Sequence, residues 1–128
     1  MQRVLVTGAA NRLGTVLAQE LLADPATERV VALDTREIEL KPDEKLVAVT
    51  ADLRSPDLAR LLAPHRIDAL IHNDVLQFPE PGRSARLLHD TNVVGTLGLL
   101  AAAEAQPELR TVVLRCTPAL CGTLPTAL

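Results

Sequence analysis

Short apolar runs rich in β-branched residues alternate with segments of helical periodicity along most of this chain. Such alternation is typical of a parallel β-sheet with helices on both faces, because parallel strands need long crossover connections and are buried on two sides. We therefore predict an α/β fold in which helices and loops separate five strands. The predicted strands cover residues 3–7, 29–34, 46–49, 67–72 and 110–115.

Capping residues and prolines mark the predicted helix boundaries. The first helix ends at Asp24, which a proline follows, and the second begins with Ser55 as its N-cap. A long third helix is predicted from Ser84 to about Ala105. Its apolar residues do not form a single stripe, which indicates burial on more than one side. One side is expected to lie on the sheet, and the other to face either a partner subunit or an undocked segment.

Composition limits the class of protein. A length of 128 residues suits a single domain over residues 1–128, and the core must be aliphatic because 48% of residues are hydrophobic but only 1% are aromatic. The net charge of −3, without a dense Lys/Arg cluster, argues against nucleic-acid binding. The sequence has no signal-peptide pattern and no apolar run long enough to span a bilayer, so we expect a cytoplasmic protein without a membrane partner.

The two cysteines do not predict a metal site. Cys116 and Cys121 are too far apart for a Cys-x-x-Cys pair, and His65, His72 and His89 add no ligand spacing. A structural zinc ion needs about four such ligands. We therefore expect two reduced thiols and no bound metal.

A glycine-containing turn between the first strand and the first helix is the strongest local signal. Gly8 allows a sharp turn out of the strand, and Gly14 allows close packing of helix and sheet. The helix N-terminus, with Arg12 and Leu13, then offers unpaired amides and a partial positive charge to a diphosphate. Asn11 takes the place of a central glycine, and asparagine tolerates left-handed backbone angles better than other side chains do. The turn predicts nucleotide binding; a purely structural strand-to-helix turn is the alternative.

Asp34, at the end of the second predicted strand, is the second signal. It lies 20 residues after Gly14 (34 − 14 = 20), the separation expected of an acidic residue that binds the ribose of a dinucleotide. A carboxylate there accepts hydrogen bonds from ribose hydroxyls and repels a 2′-phosphate, which favours NAD over NADP. Arg12 and Arg36 would weaken that preference by pairing with a phosphate. The alternative is a turn residue at a strand end.

With these elements in order, the chain resembles the N-terminal NAD-binding part of an extended short-chain dehydrogenase/reductase. The resemblance is to the NAD-dependent epimerase/dehydratase family, closest to a divergent bacterial branch, and it runs from residue 2 to about residue 123. It rests first on the similarity of residues 7–14 to the family's Thr-Gly-x-x-Gly-x-x-Gly turn. It implies a Rossmann-type doubly wound parallel sheet in the order 3-2-1-4-5, truncated before the family's later strands and without its C-terminal substrate-binding part.

Three further stretches carry the resemblance. Residues 52–54 (Asp-Leu-Arg) resemble the element that flanks the adenine ring in the family, and residues 92–96 (Asn-Val-Val-Gly-Thr) match its Asn-x-x-Gly-Thr signature. Residues 71–74 (Ile-His-Asn-Asp) resemble the His-Leu-Ala-Ala stretch along the cofactor, with Asp74 in place of a small alanine. The resemblance implies additional cofactor contacts at Asp52, Leu53, His72 and Asn92.

The catalytic machinery of the family is incomplete in this chain. Residues 115–122 resemble its Ser-Ser-x-x-Val-Tyr-Gly stretch, and Thr117 stands where the family has a catalytic Ser or Thr; a strand-end residue before a proline is the alternative interpretation. The chain has no Tyr, so the family's Tyr-x-x-x-Lys pair is missing. Because general acid–base catalysis needs a positioned titrating group, we expect no turnover from these residues alone.

Two functions from different classes stay open at this point. One is the NAD-binding domain of an epimerase, dehydratase or reductase; the other is a catalytically inactive NAD-sensing or assembly protein of the same fold. The retained Gly8, Gly14 and Asp34 favour the first, whereas Asn11 and Asp74 favour the second. In either case, an uncovered fifth strand predicts self-association through the edge strand 110–115 or through the long helix 84–105.

Overall fold

Five parallel strands form one sheet in the order β3-β2-β1-β4-β5 in the computed structural model, which describes residues 1–75 and 84–115. The predicted α/β class and strand order are therefore confirmed. The strands are β1 (Gln2–Thr7), β2 (Thr27–Asp34), β3 (Leu46–Thr50), β4 (Ala69–His72) and β5 (Thr111–Leu114). The helices are α1 (Arg12–Ala23), α2 (Leu58–Leu62) with a 3-10 turn (Ala63–His65), α3 (Ala85–His89), a π-helical turn (Asp90–Val94) and α4 (Gly95–Glu104).

The helices cover the two faces of the sheet as a doubly wound fold requires. Successive side chains of a strand point to opposite faces, so Val4 and Val6 pack on the α1 side with Ala18. Leu5 lies in the opposite layer, together with residues of α2 and α4 such as Leu62 and Leu99. Both layers are aliphatic. Among the described residues, no helix is both long and apolar enough to cross a membrane.

The second helix begins later than its capping pattern predicts. Residues 55–57 form a turn, in which the amide of Leu58 donates to the carbonyl of Ser55 at 3.3 Å. The Ser55 hydroxyl accepts from the amide of Asp57, also at 3.3 Å, so it closes the turn instead of capping a helix. Asp57 becomes the N-cap, without a side-chain hydrogen bond. The prediction of Ser55 as N-cap is wrong because its hydroxyl is used within the turn.

The long third helix begins and ends as predicted but is not uniform. Ser84 caps it by accepting from the amide of Leu87 at 3.3 Å, and α4 ends at Glu104. Between α3 and α4 the backbone widens into the π-helical turn, which the sequence pattern did not predict. Such turns occur often at functional sites.

A buried chain of three side chains joins β1, β4 and α4. The hydroxyl oxygen of Thr7 accepts hydrogen bonds from the amides of Asn73 at 3.0 Å and Asp74 at 3.2 Å. Its own hydrogen therefore points to Nδ1 of His72, 2.7 Å away, which makes Nδ1 the unprotonated ring nitrogen. The ring proton is on Nε2, which donates to the hydroxyl of Thr96 at 2.8 Å. His72 is neutral, and burial lowers the pKa of its imidazole.

Within the described part of the chain, large apolar side chains are exposed on the last strand and on the long helix. On β5, at the edge of the sheet, Val112, Val113 and Leu114 are 43%, 50% and 46% exposed. On the outer side of the long helix, Leu97 is 64% exposed and Val94 is also exposed. A free strand edge with apolar side chains is a template for pairing with another chain.

We expect the free energy of unfolding to decrease as the pH falls below about 6.5, where histidine in the unfolded chain takes up a proton. Folded His72 takes up that proton only at lower pH because its pKa is lowered. Its stabilisation is therefore present above the unfolded pKa and is lost as the pH falls through the folded pKa. For one proton the slope is at most about 1.4 kcal/mol per pH unit, and urea unfolding at several pH values measures it.

The variant His72→Gln cannot titrate at this position and should flatten that slope. His89→Gln is the matched control, because His89 is an exposed histidine at the end of α3 and takes no part in the contacts of His72 with Thr7 and Thr96. A wild-type slope in His72→Gln would contradict the assignment.

We also expect the isolated chain to self-associate through one of the two exposed apolar surfaces. Light scattering at rising concentration should give a mass above the 13.7 kDa of one chain. Val113→Lys tests the strand edge and Leu97→Lys tests the helix, and the substitution that restores the monomer identifies the surface. A wild-type monomer at high concentration would refute self-association.

Candidate functional site

The loop from β1 to α1 turns at Gly8, whose φ of +66° lies in the left-handed region. A Cβ there would be 2.9 Å from Cα of Asp74 and 3.0 Å from the carbonyl carbon of Asn73. A Cβ on Gly14 would lie only 2.1 Å from the carbonyl oxygen of Gly8. Side chains at either glycine would therefore collide with main chain. The two glycines leave a cradle in which backbone atoms are accessible at the start of α1.

Asn11 does not adopt the left-handed conformation that its residue type suggested. It is the N-cap of α1, with φ −82° and ψ 166°, which is an extended conformation. Its Oδ1 accepts from the amide of Gly14 at 2.8 Å, and its own amide donates to the carbonyl of Gly8 at 3.2 Å. The side chain is thus held against the end of the helix. A central glycine is dispensable here because Gly8 alone takes up the positive φ of this turn.

Two backbone amides in the first turn of α1 are left for an anion. Those of Arg12 and Leu13 have no acceptor within the helix, because an α-helix leaves its first amides unpaired. Asn11 occupies the amide of Gly14, and Asp34 occupies that of Ala10. No acidic side chain lies in the first turn of the helix. The arrangement fits a phosphate group at the positive end of the helix dipole.

Asp34 ends β2 beside this turn and is only 3% exposed. One of its carboxylate oxygens accepts from the amide of Ala10 at 2.9 Å, and the other accepts from the amide of Arg36 at 3.0 Å. The Arg36 guanidinium lies 3.5 Å from the second oxygen. Because each carboxylate oxygen accepts about two hydrogen bonds, Asp34 retains acceptor capacity for hydroxyl groups.

Asp52 and Leu53 follow β3 but lie in different environments. The carboxylate of Asp52 forms two hydrogen bonds with the Arg54 side chain, 3.1 and 2.9 Å long, and these lower its pKa. Leu53 is 4% exposed and packs in the core beneath α4. Its carbonyl oxygen lies 2.6 Å from the position of a Cβ on Gly98. Helix α4 therefore approaches Leu53 most closely at Gly98. Gly95, the glycine of the Asn-x-x-Gly-Thr signature, is farther away, with 3.6 Å from the position of its Cβ to Cβ of Leu53.

Asp74 lies directly behind the glycine turn, where the sequence comparison suggested an alanine. Burial raises the pKa of its carboxyl above the usual value. The neighbouring carboxylates of Asp34 and Asp52 raise it further, and Arg36 acts in the opposite direction. The site thus combines unpaired amides at a helix N-terminus with a carboxyl group whose pKa is raised.

The other predicted contacts are distributed between the interior and the undescribed part of the chain. His72 is 1% exposed, and both of its ring nitrogens are hydrogen-bonded within the fold, to Thr7 and Thr96. Asn92 lies in the π-helical turn and is partly buried. Thr117, together with Cys116 and Cys121, lies outside the described residues.

The sequence analysis missed two residues that join the turn. Asn73 and Arg115 are hydrogen-bonded to each other, and Asn73 is also bonded to Asn11. A polar residue at the end of an apolar strand was the available signal for Asn73. Nothing in the spacing of Arg115 indicated that its side chain reaches the neighbouring strand.

A cavity of about 450 Å³ lies at the amino ends of the strands, away from the glycine turn, and is lined by Arg3 and Thr111 among others. Its chemistry is less suited to a ligand, because Arg3 is already paired with Glu28, Asp68 and Glu108. Ligands of open α/β sheets bind at the carboxyl ends of the strands. In residues 1–75 and 84–115, no three His, Cys, Asp or Glu side chains are arranged to hold a metal ion.

Among curated proteins, an uncharacterized protein of Mycobacterium tuberculosis is 33% identical to this chain over 130 residues. The match covers 95% of this chain and 33% of that protein, and an uncharacterized protein of Mycobacterium bovis gives the same values. The chain thus spans about one third of the length of the curated relatives it matches.

Solved structures of larger enzymes contain a similar sheet. A mutant of uronate dehydrogenase from Agrobacterium tumefaciens, complexed with NAD, superposes with a TM-score of 0.72 and 28% identity over 91% of this chain and 41% of that one. A UDP-glucose-4-epimerase from Stenotrophomonas maltophila, with bound NAD and formylated UDP-arabinopyranose, superposes with a TM-score of 0.72 and 25% identity. That match covers 98% of this chain and 40% of the epimerase chain.

The family model described as the NAD dependent epimerase/dehydratase family matches residues 4–124. This range includes β1 from Val4 onwards, the glycine turn, Asp34 and the strands β2 to β5. Sequence, strand order and structural neighbours agree, and the chain belongs to the NAD dependent epimerase/dehydratase family.

Proposed function

We propose that this chain is the NAD-binding domain of an epimerase/dehydratase-like oxidoreductase, without a complete catalytic site among its own residues. One observation carries the proposal: two unpaired helix amides and the carboxylate of Asp34 flank the same glycine turn. A dinucleotide needs both groups, one for its diphosphate and one for its adenosine ribose. When bound, NAD supplies the acceptor or donor of a hydride.

The proposed contacts divide between main chain and side chains. The diphosphate would lie against the amides of Arg12 and Leu13, and the ribose hydroxyls would donate to Asp34. Asp52 would lie near the adenine, with Leu53 supporting it from the core. The NAD-bound state of two structural neighbours supports this choice of cofactor. Asp34 supports NAD over NADP, because a buried carboxylate repels a 2′-phosphate.

Hydride transfer itself needs groups that this chain does not supply. The chain contains no Tyr, and its lysines lie at positions 41 and 45, within the connection from β2 to β3. Thr117 is the proposed hydroxyl contact to a substrate. The alternative, an inactive NAD-sensing or assembly protein, is favoured by one observation: an acidic residue, Asp74, lies behind the turn that would hold the diphosphate, with its Cα 2.9 Å from the position of a Cβ on Gly8.

We expect calorimetric titration to show binding of NAD+ and NADH, and weaker binding of NADP+. Asp34→Ala should weaken NAD+ binding by about tenfold, which is the effect of losing one or two hydrogen bonds to a charged group. The same substitution should reduce the difference between the affinities for NAD+ and for NADP+. Gly8→Val should abolish binding, because its Cβ would meet the main chain of Asn73 and Asp74, directly after β4.

Asp43→Ala is the matched control for Asp34→Ala. Its carboxylate also accepts from the amide two residues later, at 2.8 Å, but it lies in an exposed loop. The control should leave binding unchanged. Absence of heat with both NAD+ and NADH would refute the proposal that the chain binds NAD. Equal affinities for NADP+ and NAD+ would refute the proposed preference for NAD over NADP.

We expect NAD+ affinity to fall as the pH rises through the pKa of Asp74 in the free protein, which lies above the usual value for an aspartate. The neutral carboxyl tolerates a diphosphate beside it, whereas the carboxylate repels it, so binding should be accompanied by proton uptake. Asp74→Asn should remove the pH dependence and, above the pKa of Asp74, should bind NAD+ about fivefold more tightly than the wild type, since two like charges about 4 Å apart in water repel by about 1 kcal/mol.

Titrations in buffers of different ionisation enthalpy measure the number of protons taken up. A proton uptake of zero at every pH, or an Asp74→Asn variant that keeps the wild-type pH profile, would show that Asp74 is electrostatically unconnected to the bound dinucleotide.

A further inference from the structure

Three side chains connect the end of β5 to the glycine turn. Arg115, directly after β5, donates from Nη1 to Oδ1 of Asn73 at 2.9 Å and from Nη2 to the carbonyl of Val75 at 3.3 Å. Nδ2 of Asn73 donates in turn to Oδ1 of Asn11 at 2.9 Å and lies 3.4 Å from the carbonyl oxygen of Gly8. We call Arg115, Asn73 and Asn11 the amide relay. It crosses from one strand end to the next and finishes on the N-cap of α1.

Groups with fixed roles at both ends set the direction of every hydrogen bond in the amide relay: the guanidinium of Arg115 at one end and the amide of Gly14 at the other. A guanidinium has donors only, so the Asn73 amide must present its oxygen to Arg115 and its nitrogen to Asn11. Asn11 then presents its own oxygen to Asn73, and the same oxygen caps the amide of Gly14. Because Asn73 is completely buried, water does not replace a lost partner there.

Removal of the guanidinium would leave the oxygen of the buried Asn73 amide without its donor. The amide would shift towards another donor, which weakens its hydrogen bond to Oδ1 of Asn11. Asn11 would then be held by the amide of Gly14 alone, and its side chain would gain the freedom to enter the space where the amides of Arg12 and Leu13 are open. A glycine at position 11 would have no side chain to control, so the relay is a consequence of the asparagine.

We propose that Arg115 is a positioning residue for the dinucleotide site, acting through Asn73 and Asn11 to hold the turn open for the diphosphate. This inference rests on the proposed function. It assigns an effect on cofactor affinity to Arg115, which follows the carboxyl end of β5. Arg115 acts on the turn through two other side chains, Asn73 and Asn11.

Calorimetric titration with NAD+ tests the relay. Arg115→Met should weaken NAD+ binding by about tenfold, within the range usual for coupling between sites. Arg115→Lys should recover part of the affinity, because an ammonium group still donates to Oδ1 of Asn73. In an Asn11→Gly background, Arg115→Met should have no further effect on affinity. A merely structural role of Arg115 would instead reduce affinity equally in both backgrounds, and that result would overturn the proposal.

Arg110→Met is the matched control, since Arg110 is an exposed arginine at the other end of β5 and should leave affinity unchanged. Hydrogen exchange of the Gly14 amide reports on the turn without any ligand. It should accelerate in Arg115→Met and not in Arg110→Met. Accelerated exchange together with a wild-type chain that does not bind NAD+ would overturn the proposed function but support the relay. Unchanged exchange of Gly14 in Arg115→Met would overturn the relay itself.

Discussion

The contact between the first turn of α1 and the carbonyl of Gly8 organises the whole carboxyl edge of this sheet. The two segments approach so closely that a single added carbon at Gly14 would lie 2.1 Å from the Gly8 oxygen. This approach directs the helix end at the space above β1, and it brings the amide of Ala10 to the carboxylate of Asp34. The open helix amides and the acidic side chain thus lie at the same turn because the two backbones touch.

The crevice balances opposite electrostatic demands. Helix amides favour an anion, whereas Asp34, Asp52 and Asp74 lie close enough to influence one another and disfavour it. Burial raises the pKa of Asp74, so its carboxyl takes up a proton more readily, and this relieves part of that conflict. Two departures from the family's pattern, Asn11 and Asp74, are therefore accommodated differently: the first by a hydrogen-bonded cap, and the second by a shifted pKa.

The sequence predicted those features of the fold and the site that depend on residues close together in the chain, and it missed contacts between residues far apart. Strand order and the two glycines depend on local patterning and on the family's motifs, and those predictions agree with the structure. The Ser55 cap was wrong because a hydroxyl has several local acceptors and donors to choose from. The conformation of Asn11 follows from its hydrogen bonds with Gly8 and Gly14, whereas residue type alone also allowed a left-handed backbone. The contact of Arg115 with Asn73 joins residues more than 40 positions apart, about which the spacing of residues carries no information.

A crystal structure of the chain with NAD+ tests the central claim most directly. The account predicts the diphosphate against the amides of Arg12 and Leu13, and the adenosine ribose within hydrogen-bonding distance of Asp34. An empty crevice at saturating NAD+, or one filled by the side chain of Asn11, would contradict it.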